Sequence, residues 1–190
     1  AMSERPATDF TPGSLVQTGR DLDVAVTGNG WIAVQNPSGG ESYVRTGSLN
    51  VDALGVLRAG NGMPVMGNGG PIAVPPEQQI EVGEDGTISI RAMGEGPRVM
   101  AEVDRIKLVN PDIKNMNKGL DGSIYTKDGQ PAQADANVKL VSGFLESSNV
   151  NAVEEMTAVL ALAKQFELHV KMMNTAKDDD QAMARVLQIS

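Results

Sequence analysis

Apolar positions along the first 147 residues come in short runs, broken every few residues by Gly or Pro. From Ser148 to Ser190 there is neither. The first pattern predicts strands and turns, the second a helix. Leu22–Thr27 and Trp31–Gln35 are β-prone, and Gly28-Asn29-Gly30 between them permits the positive φ of a tight hairpin. Glu41–Thr46, Ser48–Asp52, Val56–Ala59, Met63–Met66 and Ile72–Val74 are further short strands. Gln79–Val82 and Thr87–Arg91 flank Gly83-Glu84-Asp85-Gly86, a second hairpin signal. Val99–Val109 is the longest alternating run and stops at Asn110-Pro111. Ile124–Thr126 and Val138–Leu145 complete the set, with large loops expected around 36–42, 92–98 and 110–137. Turns spaced about 8 to 12 residues apart are typical of an all-β domain. The expected fold is mainly β: a multi-stranded, hairpin-rich β domain followed by one long C-terminal α-helix. The divisions are an extended lead-in at 1–12, the β-rich domain at 13–147 and the helix at 148–190.

Within the helix Ala152, Met156, Val159, Ala163, Phe166, Val170 and Met173 repeat at alternating spacings of four and three, the a/d spacing of a coiled-coil seam. These seven residues are the expected subunit interface. Leu160, Leu162, Leu168 and Met172 lie off the seam, so more than one face is apolar and more than one neighbour is expected. Asn151 is a plausible N-cap, with Glu154 and Glu155 near the positive end of the dipole. About 40 helical residues span roughly 60 Å. A domain built from the preceding residues has a radius of gyration of about 15 Å and cannot cover that length. The helix therefore either bends back near Asn174-Thr175 or projects toward other chains, and projection is expected.

A net charge of −8 argues against nucleic-acid binding through a general basic patch. No window holds the 18 or so apolar residues of a membrane span. With no cysteine there is no disulfide, thiolate nucleophile or cysteine metal site. Gly28-Asn29-Gly30-Trp31-Ile32-Ala33 matches a dinucleotide fingerprint, but a β-prone run follows where a helix is required. Gly-Asn-Gly recurs at 60–62 and 67–69, and Ile-Ala-Val at 32–34 and 72–74, which is either a weak internal repeat of one hairpin unit or, the favoured reading, chance in a Gly-rich chain. His169 is the only histidine and reads as a surface or interface imidazole. Asp178-Asp179-Asp180 reads as a solvated charge run. Glu102 and Asp104 share one face of the expected strand, the geometry of a carboxylate pair, without a recognisable cleft. No constellation supports catalysis, and no cofactor, metal or small-molecule substrate is expected.

Two ordered blocks carry a resemblance. The first is Thr18-Gly19-Arg20-Asp21-Leu22-Asp23-Val24-Ala25, then Gly28-Asn29-Gly30-Trp31, Tyr43-Val44-Arg45-Thr46-Gly47 and Asp52-Ala53-Leu54-Gly55-Val56-Leu57. The second is Gly143-Phe144-Leu145-Glu146-Ser147-Ser148-Asn149-Val150, then Val153-Glu154-Glu155-Met156. Together they resemble the signature series of the bacterial flagellar rod and hook proteins. Trp31-Ile32-Ala33-Val34-Gln35, Gly70-Pro71-Ile72-Ala73-Val74-Pro75 and Gln165-Phe166-Glu167 are most similar to the proximal-rod type. Family members open with a helix carrying an Ala-Asn-Asn-Leu-Ala-Asn-like motif, absent here. The chain is therefore expected to start after it, with Ala1-Met2 a cloning remnant.

The resemblance implies a structural subunit of the basal-body rod, not an enzyme. It implies export by the flagellar secretion apparatus, assembly in the periplasm, and contacts with itself and other rod proteins that transmit torque. The competing reading is a secreted cell-wall or carbohydrate-binding β domain or hydrolase. That reading needs exposed aromatic platforms, so burial of Trp31 would count against it.

Overall fold

The structure, a computed structural model, describes residues 10–92, 100–119, 121–150 and 152–187. The chain divides into two compact units, Ala1–Asn149 and Val150–Ser190. The first is a set of small antiparallel sheets. In chain order its first strands are β1 (Leu15–Gln17), β2 (Asp23–Thr27), β3 (Trp31–Gln35), β4 (Glu41–Val44) and β5 (Thr46–Ser48). Then come β6 (Asn50–Val51), β7 (Leu57–Arg58), β8 (Glu77–Val82), β9 (Thr87–Ala92), β10 (Ala101–Arg105) and β11 (Leu108–Val109). A 3-10 turn at Ile113–Asn115 precedes β12 (Met116–Lys118) and β13 (Ile124–Thr126), and β14 (Lys139–Ser142) and β15 (Phe144–Glu146) close the unit. The second unit is one continuous helix, α1 (Ala152–Leu187), roughly 54 Å long at 1.5 Å per residue.

Sheet order is β11-β3-β4-β13-β12 in the largest sheet, β14-β2-β5 and β10-β9-β8 in two others, and β1-β15 and β6-β7 in two ribbons. The main core lies where these sheets meet. Val24 and Val26 of β2, Ile32 and Val34 of β3, Ile88 and Ile90 of β9 and Leu140 of β14 are buried there with Leu49, Leu57, Ile72 and Ile106. Trp31, Ala33, Tyr43, Val109, Met116 and Ile124 form a second cluster. Period-2 alternation explains the split: Trp31 and Ala33 face one cluster, Ile32 and Val34 the other. β3 is thus buried on both faces.

Several expected elements are corrected. Gly28-Asn29-Gly30 is not a hairpin. β2 pairs with β14 and β5, while β3 pairs with β4 and β11, so the tripeptide carries the chain between sheets. The positive φ does hold, at 76° for Gly28 and 136° for Gly30. Val99–Val109 is not one strand. Val99 lies outside the described residues, and the rest divides into β10 and β11 in different sheets. A register shift between Glu102 and Asp104 breaks the alternation, and with it the paired-carboxylate geometry. Ile106 N–H then donates to Gly86 and Lys107 N–H to Met66, handing the chain across. Met63–Met66 forms only isolated bridges, because Pro64 has no N–H for a ladder. Val138–Leu145 divides at Gly143 (φ 78°), and β15 pairs with β1, a strand too short to show as a periodic run. The expected hairpin at 83–86 does join β8 to β9. The loop at 92–98 lies almost wholly outside the described residues.

The tripeptide at 28–30 gives a direct test. A Cβ on Gly30 would sit 2.5 Å from Val138 Cγ1, while one on Gly28 would meet nothing within 4 Å. Gly28→Ala is expected to cost about 1 kcal/mol from its φ alone. Gly30→Ala adds overpacking, for a total of roughly 2–4 kcal/mol. Urea denaturation of the two variants checks the order.

Candidate functional site

The seam starts at Ala152, the first helical residue of α1. Met156, Val159, Ala163, Phe166 and Met173 are exposed and Val170 is half-buried; Phe166 leaves 71% of its surface in water. Val153, Leu160, Leu162, Leu168 and Met172 are exposed as well. The apolar surface therefore runs around the helix, as the residues off the seam foretold. A helix is stabilised mainly by packing an apolar face, which these exposed side chains leave unused within the described residues. The chain does not bend back near Asn174; Thr175 Oγ1 donates to the Lys171 carbonyl one turn earlier within an unbroken helix. His169 is exposed, as expected. Asn151, the expected N-cap, lies outside the described residues.

The polar residues of the two signature blocks behave differently. They are tied to one another inside the β unit. Arg45 follows β4 and Glu146 ends β15, and both side chains are about nine-tenths buried. Arg45 Nε donates to both Glu146 carboxylate oxygens, at 3.0 and 2.9 Å. Its Nη1 and Nη2 donate to the carbonyls of Gly30 and Gly28. The guanidinium lies 5.2 Å from the centre of the Trp31 ring, and Phe10 meets Trp31 edge-on at 5.8 Å. Gly13 N–H donates to Glu146 Oε1 at 2.9 Å. One ion pair thus joins the lead-in, the 28–30 crossover, the β4–β5 link and the last strand. Sequence reading missed this pairing. The available signal was that each signature block carries a charge of opposite sign at a fixed place, Arg45 in Tyr-Val-Arg-Thr-Gly and Glu146 in Gly-Phe-Leu-Glu-Ser.

Other signature residues do similar work. Asp23, buried in β2, accepts from the Ser48 hydroxyl at 2.7 Å, with Arg20 at 3.4 Å. The hydroxyls of Ser48 and Thr18, helped by the Arg20 charge, hold its pKa below the usual aspartate value. Asp52 accepts from the N–H groups of Leu54 and Val56 and pairs with Arg58 at 2.6 Å, so the Asp-Ala-Leu-Gly turn is closed by its own first residue. These bonds, the Val56 N–H first, lower its pKa. Tyr43 is fully buried, donates to Glu41 at 3.1 Å and accepts from Ala132 N–H at 2.8 Å. Burial, then the Glu41 charge, pushes its pKa up to about 12.

A cleft of about 550 Å³ lies beside the ion pair, lined by Phe10, Trp31, Arg45, Lys118, Asp121 and Asn149 among others. Arg45, Glu146 and Asp121 in its wall are spent on structure. Glu146 holds Arg45, and Tyr125 donates to Asp121 at 2.6 Å, the leading cause of a lowered Asp121 pKa. Trp31 is 4% exposed and cannot serve as a sugar platform, which counts against the carbohydrate-binding reading. Among the described residues no cluster of His, Cys, Asp or Glu could hold a metal ion.

A β unit whose signature charges hold the unit itself together, continued by a helix with its apolar side chains in water, is the design of a structural subunit. Comparison with known proteins gives the class a family. Residues 141–186 match the model of the flagellar basal body rod FlgEFG protein C-terminal region, and residues 25–90 the flagellar hook protein FlgE/F/G D1 domain. The chain is 39% identical to the flagellar basal-body rod protein FlgF of Escherichia coli K12, over 97% of this chain and 76% of that protein. It is 37% identical to FlgF of Salmonella typhimurium over the same shares, and 34% identical to FlgF of Caulobacter vibrioides over 97% and 73%. The chain belongs to the FlgF/FlgG family of flagellar basal-body rod proteins. It is a structural rod subunit, not an enzyme.

The lowered aspartate pKa values set a pH dependence. Asp23, Asp52, Asp85, Asp121, Asp128 and Asp135 all titrate lower when folded. In the unfolded chain they titrate near about 3.9. Their contribution is therefore complete above that value and is lost as pH falls through the folded pKa values. Urea midpoints are expected to be flat from about pH 7 to 5 and to fall below about pH 4. Asp23→Asn is expected to shallow that fall; an unchanged slope would remove Asp23 from the set.

Proposed function

We propose that α1 is the surface through which this rod subunit assembles. Ala152, Met156, Val159, Ala163, Phe166, Val170 and Met173 are the seam for helices of neighbouring copies and of other rod proteins. The exposed apolar surface of α1 carries this reading. A long helix that offers apolar side chains on several faces suits a helical array, because heterologous contacts need not close into a ring. We place that assembly in the periplasm, after passage through the flagellar export apparatus. The assembled rod would carry torque. We also propose residues 13–147 as the β domain that folds without the helix, since the buried core runs from Val24 to Leu140. A cooperative melt of that segment alone checks this.

Burying Phe166 in a partner would contribute about 1.5–3 kcal/mol at each subunit. Phe166→Asp would instead bury an unpaired charge, at a cost of several kcal/mol. In a motile strain carrying the full-length protein, Phe166→Asp is expected to leave expression and the β-unit melt unchanged and to abolish rod assembly and swimming. Exposed Lys164, off the seam, is expected to tolerate alanine. Normal swimming with Phe166→Asp would exclude the seam as an interface. Loss of the β-unit melt would make α1 an ordinary core element.

A further inference from the structure

We infer that the Arg45–Glu146 pair is a mechanical clamp that stops the terminal segment of the β unit from peeling away when the chain is pulled through it. The inference rests on the rod-subunit reading only for the existence of that load. Its basis is the geometry of the β1–β15 ribbon. The strands are antiparallel, with Leu15 opposite Glu146 and Gln17 opposite Phe144. Thr18 and Gly19 donate to the Gly143 carbonyl at the closed end. At the open end Ser147 N–H donates to Ser14, and Asn149 Nδ2 donates to the Thr11 carbonyl at 3.1 Å. Both segments thus leave the ribbon at the same end. A pull on the chain beyond Asn149 that lifts β15 off β1 meets these bonds one after another, because ladder bonds in an antiparallel pair run across the strands. In that direction a ribbon opens bond by bond and resists weakly.

Glu146 is the first strand residue such a pull would reach. At that place a buried, two-oxygen ion pair to a third segment reinforces the ladder. Arg45 is itself held by two carbonyls and the Trp31 face. Charge-assisted pairs of this kind are the strongest hydrogen bonds a fold offers. The Glu146 carboxylate also holds Gly13 N–H, so freeing one segment means releasing both. Arg45 is a positioning residue here and touches no partner in this role.

The test is single-molecule pulling on the purified chain, which has no cysteine of its own to compete with introduced handles. One pair of handles, at Lys164 and Asn61, loads the chain through Glu146. A control pair, at Asn61 and Gln130, loads the β unit without drawing on the terminal segment. Glu146→Gln keeps the shape and removes the charge; Arg45→Lys keeps the charge and removes the fork. Forced opening follows the unfolding rate rather than equilibrium stability. With the first handles each variant is expected to open about tenfold faster or more at fixed force, as loss of one charge-assisted pair implies. With the control handles the change is expected to be smaller by several fold. Equal acceleration in both geometries would reduce the pair to ordinary stabilisation and overturn the clamp, as would unchanged opening with the first handles. The pulling is done without a rod, so its failure would leave the assembly reading standing.

Discussion

The β unit depends on one buried charge being met by another. Arg45 and Glu146 are 101 residues apart in the chain and both nearly out of water. Removing either would strand the other, at roughly 3–5 kcal/mol. Hydrophobic residues of similar volume can pack as well, but they would not fix direction. The guanidinium fork uses its remaining donors on Gly28 and Gly30, which sets where the chain crosses from one sheet to another. The arrangement is therefore as much about register as about energy.

The small sheets need that kind of pinning. Among the described residues no sheet exceeds five strands, and several strands are two or three residues long. Short ladders hold few hydrogen bonds, so sheet-to-sheet crossings must be fixed by side chains. Lys107 shows the same device, donating to Glu41 at 2.6 Å where the chain passes from β10 to β11. Glu41 in turn accepts from buried Tyr43. The apolar core supplies the free energy; these polar ties choose one arrangement among the many that short strands allow.

The helix follows the opposite rule. Its large apolar side chains from Val153 to Met173 lie in water, Val170 alone among them being half-buried. In the β unit the polar signature residues are satisfied within the chain, whereas α1 keeps its unmet demand on the outside. On the proposed reading of α1, folding and assembly are given to different segments. A subunit of a polymer has to finish one before it begins the other.

Much of this was legible in the residues. Gly and Pro punctuation separated the β unit from α1, because backbone freedom and missing donors act locally. The 3-4 spacing revealed the apolar stripes of α1, because helical periodicity is also local. Trp31–Gln35 was found at its true bounds, since a continuous β-prone run between glycines has few alternatives. Strand partners were not legible. Gly28-Asn29-Gly30 has the composition of a hairpin turn and works as a crossover, because β2 finds β14, more than a hundred residues later, a better partner than β3. Val99–Val109 alternates like one strand and serves two sheets, because each half meets a different edge. The union of Arg45 with Glu146 belongs to the same class. Local sequence determines which residues are charged, apolar or flexible, but only the closed fold determines which distant groups share a dry environment, and there the cost of an unmet charge leaves a single acceptable partner.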